Sequence, residues 1–287
     1  MLEKAYAKLN ISLDVISKRT DGYHDMRMVM QSVSLCDDVT VSLREDGAVN
    51  VSTNLRFLPS DDRNIAVKVA KAFFAELGGK AAGADINILK RVPVCAGMGG
   101  GSADGAAVLR ALNKLTDKPF SRLELESLGA SLGSDIPFCV AGGTALAEGR
   151  GEALSDLPPI PDCRFIIVKP KFSVSTPELF SKIDLVSVKY HPDTPGLVSS
   201  LLSGDLQGVC RRMYNVFEDV LPPKPDDIPN IKKLLLDSGA LGAVMTGTGS
   251  AVFGIFDNED MAKRSFKLLN ERYPEVFIAS PQGVIAI

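Results

Sequence analysis

Residues 93–115 constrain this chain more than any other stretch. They read Pro-Val-Cys-Ala-Gly-Met-Gly-Gly-Gly-Ser-Ala-Asp-Gly-Ala-Ala-Val-Leu-Arg-Ala-Leu-Asn-Lys-Leu. Glycines at 97, 99, 100 and 101 run straight into a helical spacing of apolar residues at Val108, Leu109, Leu112 and Leu115. Ser102 stands where an N-cap is expected. Glycine lets the backbone take positive φ and approach a ligand with no Cβ in between. The helix start adds unbonded N–H groups and partial positive charge. Together they predict an anion site, above all for phosphate. The stretch is not a P-loop, because no Gly-Lys-Ser/Thr follows. It is not the dinucleotide fingerprint either, because position 102 would have to be glycine and is serine. A flexible glycine-rich turn is the competing reading, and the abutting helix weighs against it.

The rest of the composition narrows the class. At 287 residues, with 45% apolar and 23% charged side chains, the chain describes an ordinary soluble protein of one large or two medium domains. A net charge of −3 provides no basic field, so neither nucleic acid nor a membrane is expected as partner. The two histidines, His24 and His191, are too few for a His-rich metal site. Five cysteines without a C-x-x-C spacing predict reduced thiols and a cytoplasmic setting. Glu3 and Lys4 with no apolar run after them argue against a signal peptide.

Along the chain, residues 3–16 alternate like a strand, Thr20-Asp21-Gly22 reads as a turn, and residues 28–43 are β-prone with a break expected at Cys36-Asp37-Asp38. Helices are predicted over 64–77, from the glycine loop onward, over about 122–132, and from Asn258 to Tyr273. Gly133-Ser-Asp-Ile-Pro137 reads as a turn leading to a strand at 144–147. Leu157-Pro-Pro-Ile-Pro-Asp162 is the best linker. Residues 191–230 read as helix interrupted at Pro222, Pro223, Pro225 and Pro229, and residues 243–256 as strand, glycine-rich turn, strand. The mixture is α+β in two lobes.

If the glycine loop holds a nucleotide phosphate, an acceptor must be positioned and deprotonated. Asp135, between apolar residues in a short turn, is the leading candidate. A carboxylate there needs a partner, and the plainer reading is a turn Asp bonding its own backbone. Lys8 interrupts an alternating strand and shares a face with Tyr6 and Asn10. It is either that partner or a solvated edge lysine. Tyr23 and His24 sit in a turn where a ring can stack on a base and an imidazole can read its edge, or where both simply face water. Gly247-Thr248-Gly249-Ser250 either admits a substrate close to backbone or makes a tight hairpin.

These segments together resemble the GHMP kinase superfamily. The resemblance is carried by Lys4-Ala-Tyr-Ala-Lys-Leu-Asn10, Arg19-Thr-Asp-Gly-Tyr-His24, the glycine loop with its helix, Gly133-Ser-Asp-Ile-Pro-Phe138, Val174-Ser-Thr-Pro-Glu-Leu-Phe180, Asn215-Val-Phe-Glu218 and Met245-Thr-Gly-Thr-Gly249. Asp-Gly-Tyr-His after Ala-Lys-Leu-Asn is the mark of a branch whose substrate carries a cytidine diphosphate. The resemblance implies a two-lobed fold: a ribosomal-protein-S5-domain-2-like nucleotide and catalytic lobe over 1–158 and a ferredoxin-like substrate lobe over 159–287. It implies a cytoplasmic enzyme, monomer or weak homodimer, that uses ATP and Mg2+ to phosphorylate a hydroxyl of that small molecule.

By the same resemblance Asp135 takes the hydroxyl proton and Lys8 steadies the charge. Pro93-Val94-Cys95-Ala96-Gly97-Met98-Gly99-Gly100-Gly101-Ser102-Ala103 holds the ATP phosphates, and Asn64 lies by the adenine. Tyr23 and Phe180 sandwich cytosine and His24 bonds its edge. Asn10, Gly247, Thr248 and Gly249 contact substrate, and Ser102 is the one candidate for the metal. Gly105 departs from the usual Ala, at about 1 kcal/mol of helix propensity, and Met98 from the commoner Leu. A mevalonate- or homoserine-type kinase of the superfamily, or a non-catalytic nucleotide sensor, are the alternatives. Tyr23 and His24 argue against the first, and Lys8 with Asp135 against the second.

Overall fold

The structure is a computed structural model and describes residues 1–78, 83–184, 186, 188–221 and 227–287. Strand β1 (Leu2–Lys18) and strand β2 (His24–Arg44) form a long antiparallel hairpin through the Thr20-Asp21-Gly22 turn. The register shifts between Tyr6 and Lys8 and again between Asn10 and Ser12. Such irregularities twist a strand locally and re-aim its side chains. Strand β2 runs unbroken through Cys36-Asp37-Asp38, against expectation. The acids are tolerated because each is matched. Asp37 accepts from Lys90 Nζ (2.5 Å) and the Val92 N–H (2.8 Å), and Asp38 from Lys4 Nζ (2.5 Å) and Arg91 (2.7 Å).

Strand β3 (Val49–Thr53) leads to helix α1 (Ile65–Glu76), whose N-cap Asn64 accepts from the Ala66 N–H. Strand β4 (Gly83–Leu89) pairs with β3 and with the Asp38–Arg44 half of β2. Helix α2 (Gly100–Leu115) follows the glycine loop. It is more than amphipathic, because every residue from Ala103 to Asn113 is buried. Its position between the sheet and the helices around it explains why so much of its surface is Ala, Val and Leu. Arg110 is tolerated there because its guanidinium donates to Cys139 O (2.7 Å) and Lys4 O (2.8 Å). Helix α3 (Arg122–Ala130) opens with a capping box between Ser121 and Glu124.

A short helix α4 (Ile136–Ala141) replaces the plain turn expected after Gly133. Pro137 suits a first helical turn, where its missing N–H costs nothing. Strands β5 (Thr144–Gly149) and β6 (Ala153–Leu157) complete this side, with β5 on the Met26–Gln31 half of β2.

Strand β7 (Arg164–Lys169) begins the second sheet, and helix α5 (Thr176–Ile183), helix α6 (Thr194–Leu202) and helix α7 (Leu206–Cys210) follow. Strand β8 (Tyr214–Asn215) returns to the first sheet, parallel to β1. Pro222, Pro223 and Pro225 lie outside the described residues, and Pro229 falls in the first turn of helix α8 (Asp227–Asp237). Strands β9 (Gly242–Met245) and β10 (Val252–Phe256), helix α9 (Glu259–Asn270) and strand β11 (Glu275–Ala279) finish the chain.

The second sheet has the order β11-β7-β10-β9, all antiparallel. That is the ferredoxin-like order, with α8 and α9 packed against it. The chain is thus α+β in two lobes, stitched together by β8 and by backbone bridges from Pro281 to Val33 and Val284 to Gly142. Among the described residues no helix is long and apolar enough to cross a membrane.

Candidate active site

Three segments that are distant in sequence form one hydrogen-bonded body where the lobes meet. The Lys8 N–H donates to Met98 O (3.0 Å), the Ala251 N–H to Ala96 O (3.2 Å), and the Asn10 N–H to Thr246 Oγ1 (3.0 Å). β1, the glycine loop and the 246–250 turn are thereby held in fixed relation. Gly97 has φ +76°, and a Cβ there would lie 2.2 Å from Thr246 O. Only glycine permits that approach.

Gly99, with φ +67°, opens α2, three residues before Ser102. Ser102 is therefore not the cap. It sits inside the first turn, and the left-handed residue at 99 does what a capping side chain was expected to do. The first N–H bonded within the helix is that of Ala103, to Gly99 O (2.8 Å). The N–H groups of Gly100, Gly101 and Ser102 are left outside the ladder, as an anion site requires.

Lys8 and Asp135 come together beside this helix start. Lys8 Nζ lies 3.5 Å from Asp135 Oδ2 and donates to Asn10 Oδ1 at 2.7 Å. The lysine side chain is 5% exposed and the aspartate 32%. Lys8 is no edge residue, because it pairs with Ser32 of β2 on one side and its N–H is taken by Met98 of the glycine loop on the other. Asp135 precedes α4 and makes no capping hydrogen bond. Its carboxylate thus has a cation nearby and lone pairs still free. A Cβ on Gly99 would meet Lys8 Cγ at 3.1 Å and Asp135 Oδ2 at 3.7 Å, so the loop, the amine and the carboxylate share one corner.

That corner opens into a cavity of about 930 Å³, lined among others by Ser102, Tyr23, His24, Phe180 and the Gly247-Thr248-Gly249 turn. A second cavity of about 390 Å³ lies on the other side of the loop, lined by residues 93–102, Asn64, Lys90 and Asp104. Cys95, Gly97, Gly99 and Ser102 face both.

Other expected residues are placed differently from the simplest expectation. Asn10, expected to contact substrate, is fully buried away from the cavity wall. Its carboxamide holds Lys8 instead. Asn64 lines the smaller cavity, but its amide is committed to capping α1 and to Pro59 O (2.8 Å). His24 stacks on Phe180 with ring centroids 4.7 Å apart, and its Nε2 lies 2.8 Å from Asp184 Oδ1. Tyr23 is 56% exposed at the mouth. Thr248 meets Thr176 (Oγ1–Oγ1 2.8 Å), joining the turn to α5.

Two features were not seen from sequence. Asn215 donates to Met245 O and Gly247 O, both at 2.8 Å, and so shapes the 246–250 turn. Beneath the glycine loop Lys90 Nζ lies 2.5 Å from Asp37 and 2.6 Å from Asp104, all three buried. Burial pushes the Asp104 carboxyl up to about 7, against the pull of Lys90. The two carboxylates raise the Lys90 amine despite its own burial. One Asp104 oxygen has no partner. Lys90 thus holds both carboxylates, and burial makes Asp104 more readily protonated than a free carboxyl. Positions 37, 90 and 104 have no spacing that would join them without a fold.

Comparison with known proteins agrees with this layout. The N-terminal domain of the GHMP kinases matches residues 64–143 and their C-terminal domain residues 197–275. A 4-diphosphocytidyl-2-C-methyl-D-erythritol kinase of Clostridium botulinum is 43% identical over 275 residues, 96% of this chain and 98% of its own length.

The chain belongs to the GHMP kinases.

A crystal structure of a 4-(cytidine 5'-diphospho)-2C-methyl-D-erythritol kinase superposes with a TM-score of 0.81 at 27% identity, covering 99% of this chain and all of that one. Homoserine kinase from Cytophaga hutchinsonii superposes at 0.76 with 20% identity over the whole of this chain and 97% of its own, a likeness of fold alone. In this chain α2 starts where the two lobes meet.

Among the described residues no group of three His, Cys, Asp or Glu side chains could hold an ion. Ser102 and Asp135 are among the oxygen donors that line the cavity beside the helix start. That set fits a magnesium carried mainly on phosphate oxygens, the usual habit of Mg2+.

Proposed function

We propose that this GHMP kinase transfers the γ-phosphoryl group of ATP to the 2-hydroxyl of 4-diphosphocytidyl-2-C-methyl-D-erythritol, in the non-mevalonate route to isoprenoid precursors. The observation that carries the reading is the Lys8–Asp135 pair at 3.5 Å, set against the α2 start in a cavity whose far wall holds Tyr23 and Phe180.

In the proposed arrangement ATP lies in the smaller cavity with its phosphates on the free N–H groups of Gly100, Gly101 and Ser102. The acceptor hydroxyl approaches from the larger cavity. Phosphoryl transfer needs little covalent help, so positioning and charge stabilisation dominate. Asp135 accepts the hydroxyl proton, and such a positioned base contributes about 10² to 10⁴ in rate. Lys8, oriented by Asn10, balances the carboxylate and the oxygen that attacks. Ser102, with phosphate oxygens, would hold Mg2+, which when bound neutralises charge on the phosphates. Tyr23 offers a ring face to cytosine, with His24 and Phe180 as a stacked wall behind it.

The test is a substrate panel. ADP release is expected with the diphosphocytidyl substrate and not with mevalonate or homoserine. CMP should raise the melting temperature, since a ligand at 100 times its Kd adds about 2.7 kcal/mol. Turnover of mevalonate without any response to CMP would overturn the reading.

A further inference from the structure

We propose that Arg150 grips the diphosphate of the substrate, and so measures the distance between the base cradle and the reacting hydroxyl. The proposal rests on the substrate class given under the proposed function. Its support is an account of charge in the larger cavity. The basic side chains on its wall are Lys8, His24 and Arg150. Lys8 is committed to Asp135 and Asn10. His24 is held by Asp184 and stacked on Phe180. Arg150 makes no hydrogen bond to a carboxylate, although Asp21 feels its charge and the Tyr23 ring lies beside it. Its nearest carboxylate is Glu152, with Nε 3.6 Å from Oε1, too long for a hydrogen bond. A guanidinium has five N–H donors in a fork that matches phosphate oxygens.

Its position suits the task. Arg150 lies in the turn between β5 and β6, with Cζ 5.1 Å from the centre of the Tyr23 ring. The same turn rests against the loop that carries Asp135, since the Cβ position of Gly151 falls 3.8 Å from Ser134 Cβ. A ligand with its base on Tyr23 and its hydroxyl at Asp135 must carry its linking phosphates between those two points, past this cation. A diphosphate is doubly negative and needs a counter-charge where water is partly excluded. Besides the three basic side chains, the donors on that wall, among them the Ser134, Ser175, Thr176 and Thr248 hydroxyls and the backbone of the 247–249 turn, carry no charge. Arg150 therefore separates a nucleoside-diphosphate substrate from a bare polyol of the same length.

The experiment compares Arg150→Met and Arg150→Lys with the wild-type chain, using CDP and cytidine as binding probes beside the kinase assay. For Arg150→Met the KM of the diphosphocytidyl substrate should rise roughly tenfold or more, the scale of a lost charge-assisted contact. The change in kcat should be smaller, and the KM for ATP should hold. The wild type should bind CDP more tightly than cytidine; Arg150→Met should lose that preference and Arg150→Lys should recover part of it. Unchanged KM and an unchanged CDP preference would overturn the proposal. Equal weakening of CDP and cytidine would also overturn it, and would assign Arg150 to the Tyr23 ring instead. If the wild type fails to turn over the substrate at all, the proposed reaction falls, while the CDP and cytidine measurements still decide the role of Arg150.

Discussion

Lys8 and Asp135 stand on one side of the glycine loop, 3.5 Å apart, with a third of the aspartate side chain open to a cavity. Lys90, Asp37 and Asp104 stand on the other side, at 2.5 and 2.6 Å, with almost no surface exposed. Both clusters are built from the same two residue types, and both touch the same loop. The difference is in what each leaves free. The sealed cluster uses its amine to bind β2, β4 and α2 together, and the Arg91 and Val92 N–H groups complete the binding through Asp37. The open cluster holds a carboxylate beside a cation without closing over it. Close contact and burial make a brace; looser contact at a cavity wall leaves lone pairs to accept a proton.

The comparison can be broken most sharply at Lys90. Lys90→Met leaves two carboxylates in a dry site without their cation, and breaking a buried ion pair from one side costs about 3–5 kcal/mol. Calorimetry should show a melting temperature lower by something on the order of 10 °C. A variant with wild-type stability and no ATP binding would instead place Lys90 in the nucleotide site.

A smaller effect sharpens the picture at Asp104. Its folded carboxyl, near 7, lies above the ordinary value of about 3.9. Between those two values the native chain keeps more of this proton than the unfolded chain does. The contribution is fully present below the unfolded value and is lost as pH rises through about 7, at up to about 1.4 kcal/mol per pH unit. Asp104→Asn, which cannot ionise, should gain on the wild type across this window and hold a constant lead above it. Urea midpoints between about pH 5 and pH 8 provide the check. Parallel curves for the two proteins would mean that Asp104 is ionised throughout.

Much of this was legible in the sequence. The glycine loop, the helix after it and the strand-turn-strand at 243–256 each carry local signals of backbone conformation, and local signals survive without tertiary context. The strand pattern offers Lys8 as a partner for Asp135, the resemblance implies the same pair, and the fold places them 3.5 Å apart. What local rules missed were consequences of long-range partners. The Cys36-Asp37-Asp38 break failed because Lys90 and Lys4 neutralise acids that would otherwise end a strand. Ser102 was displaced as cap because Gly99 bends the backbone first. Asn10 stays off the cavity wall because its carboxamide is taken up by Lys8, Met28 and, from the other lobe, the Thr246 hydroxyl. Arg150 gave no signal, since an arginine in a turn is ordinary until Tyr23 and Ser134 are seen beside it.

The open cluster is tested most directly by the rate of ADP release from Asp135→Asn with saturating diphosphocytidyl substrate, measured alongside ATP binding and melting temperature on the same preparation. The account predicts a fall in kcat of about 10² to 10⁴, with ATP affinity and stability near those of the wild type. Near-wild-type turnover by that variant would contradict it.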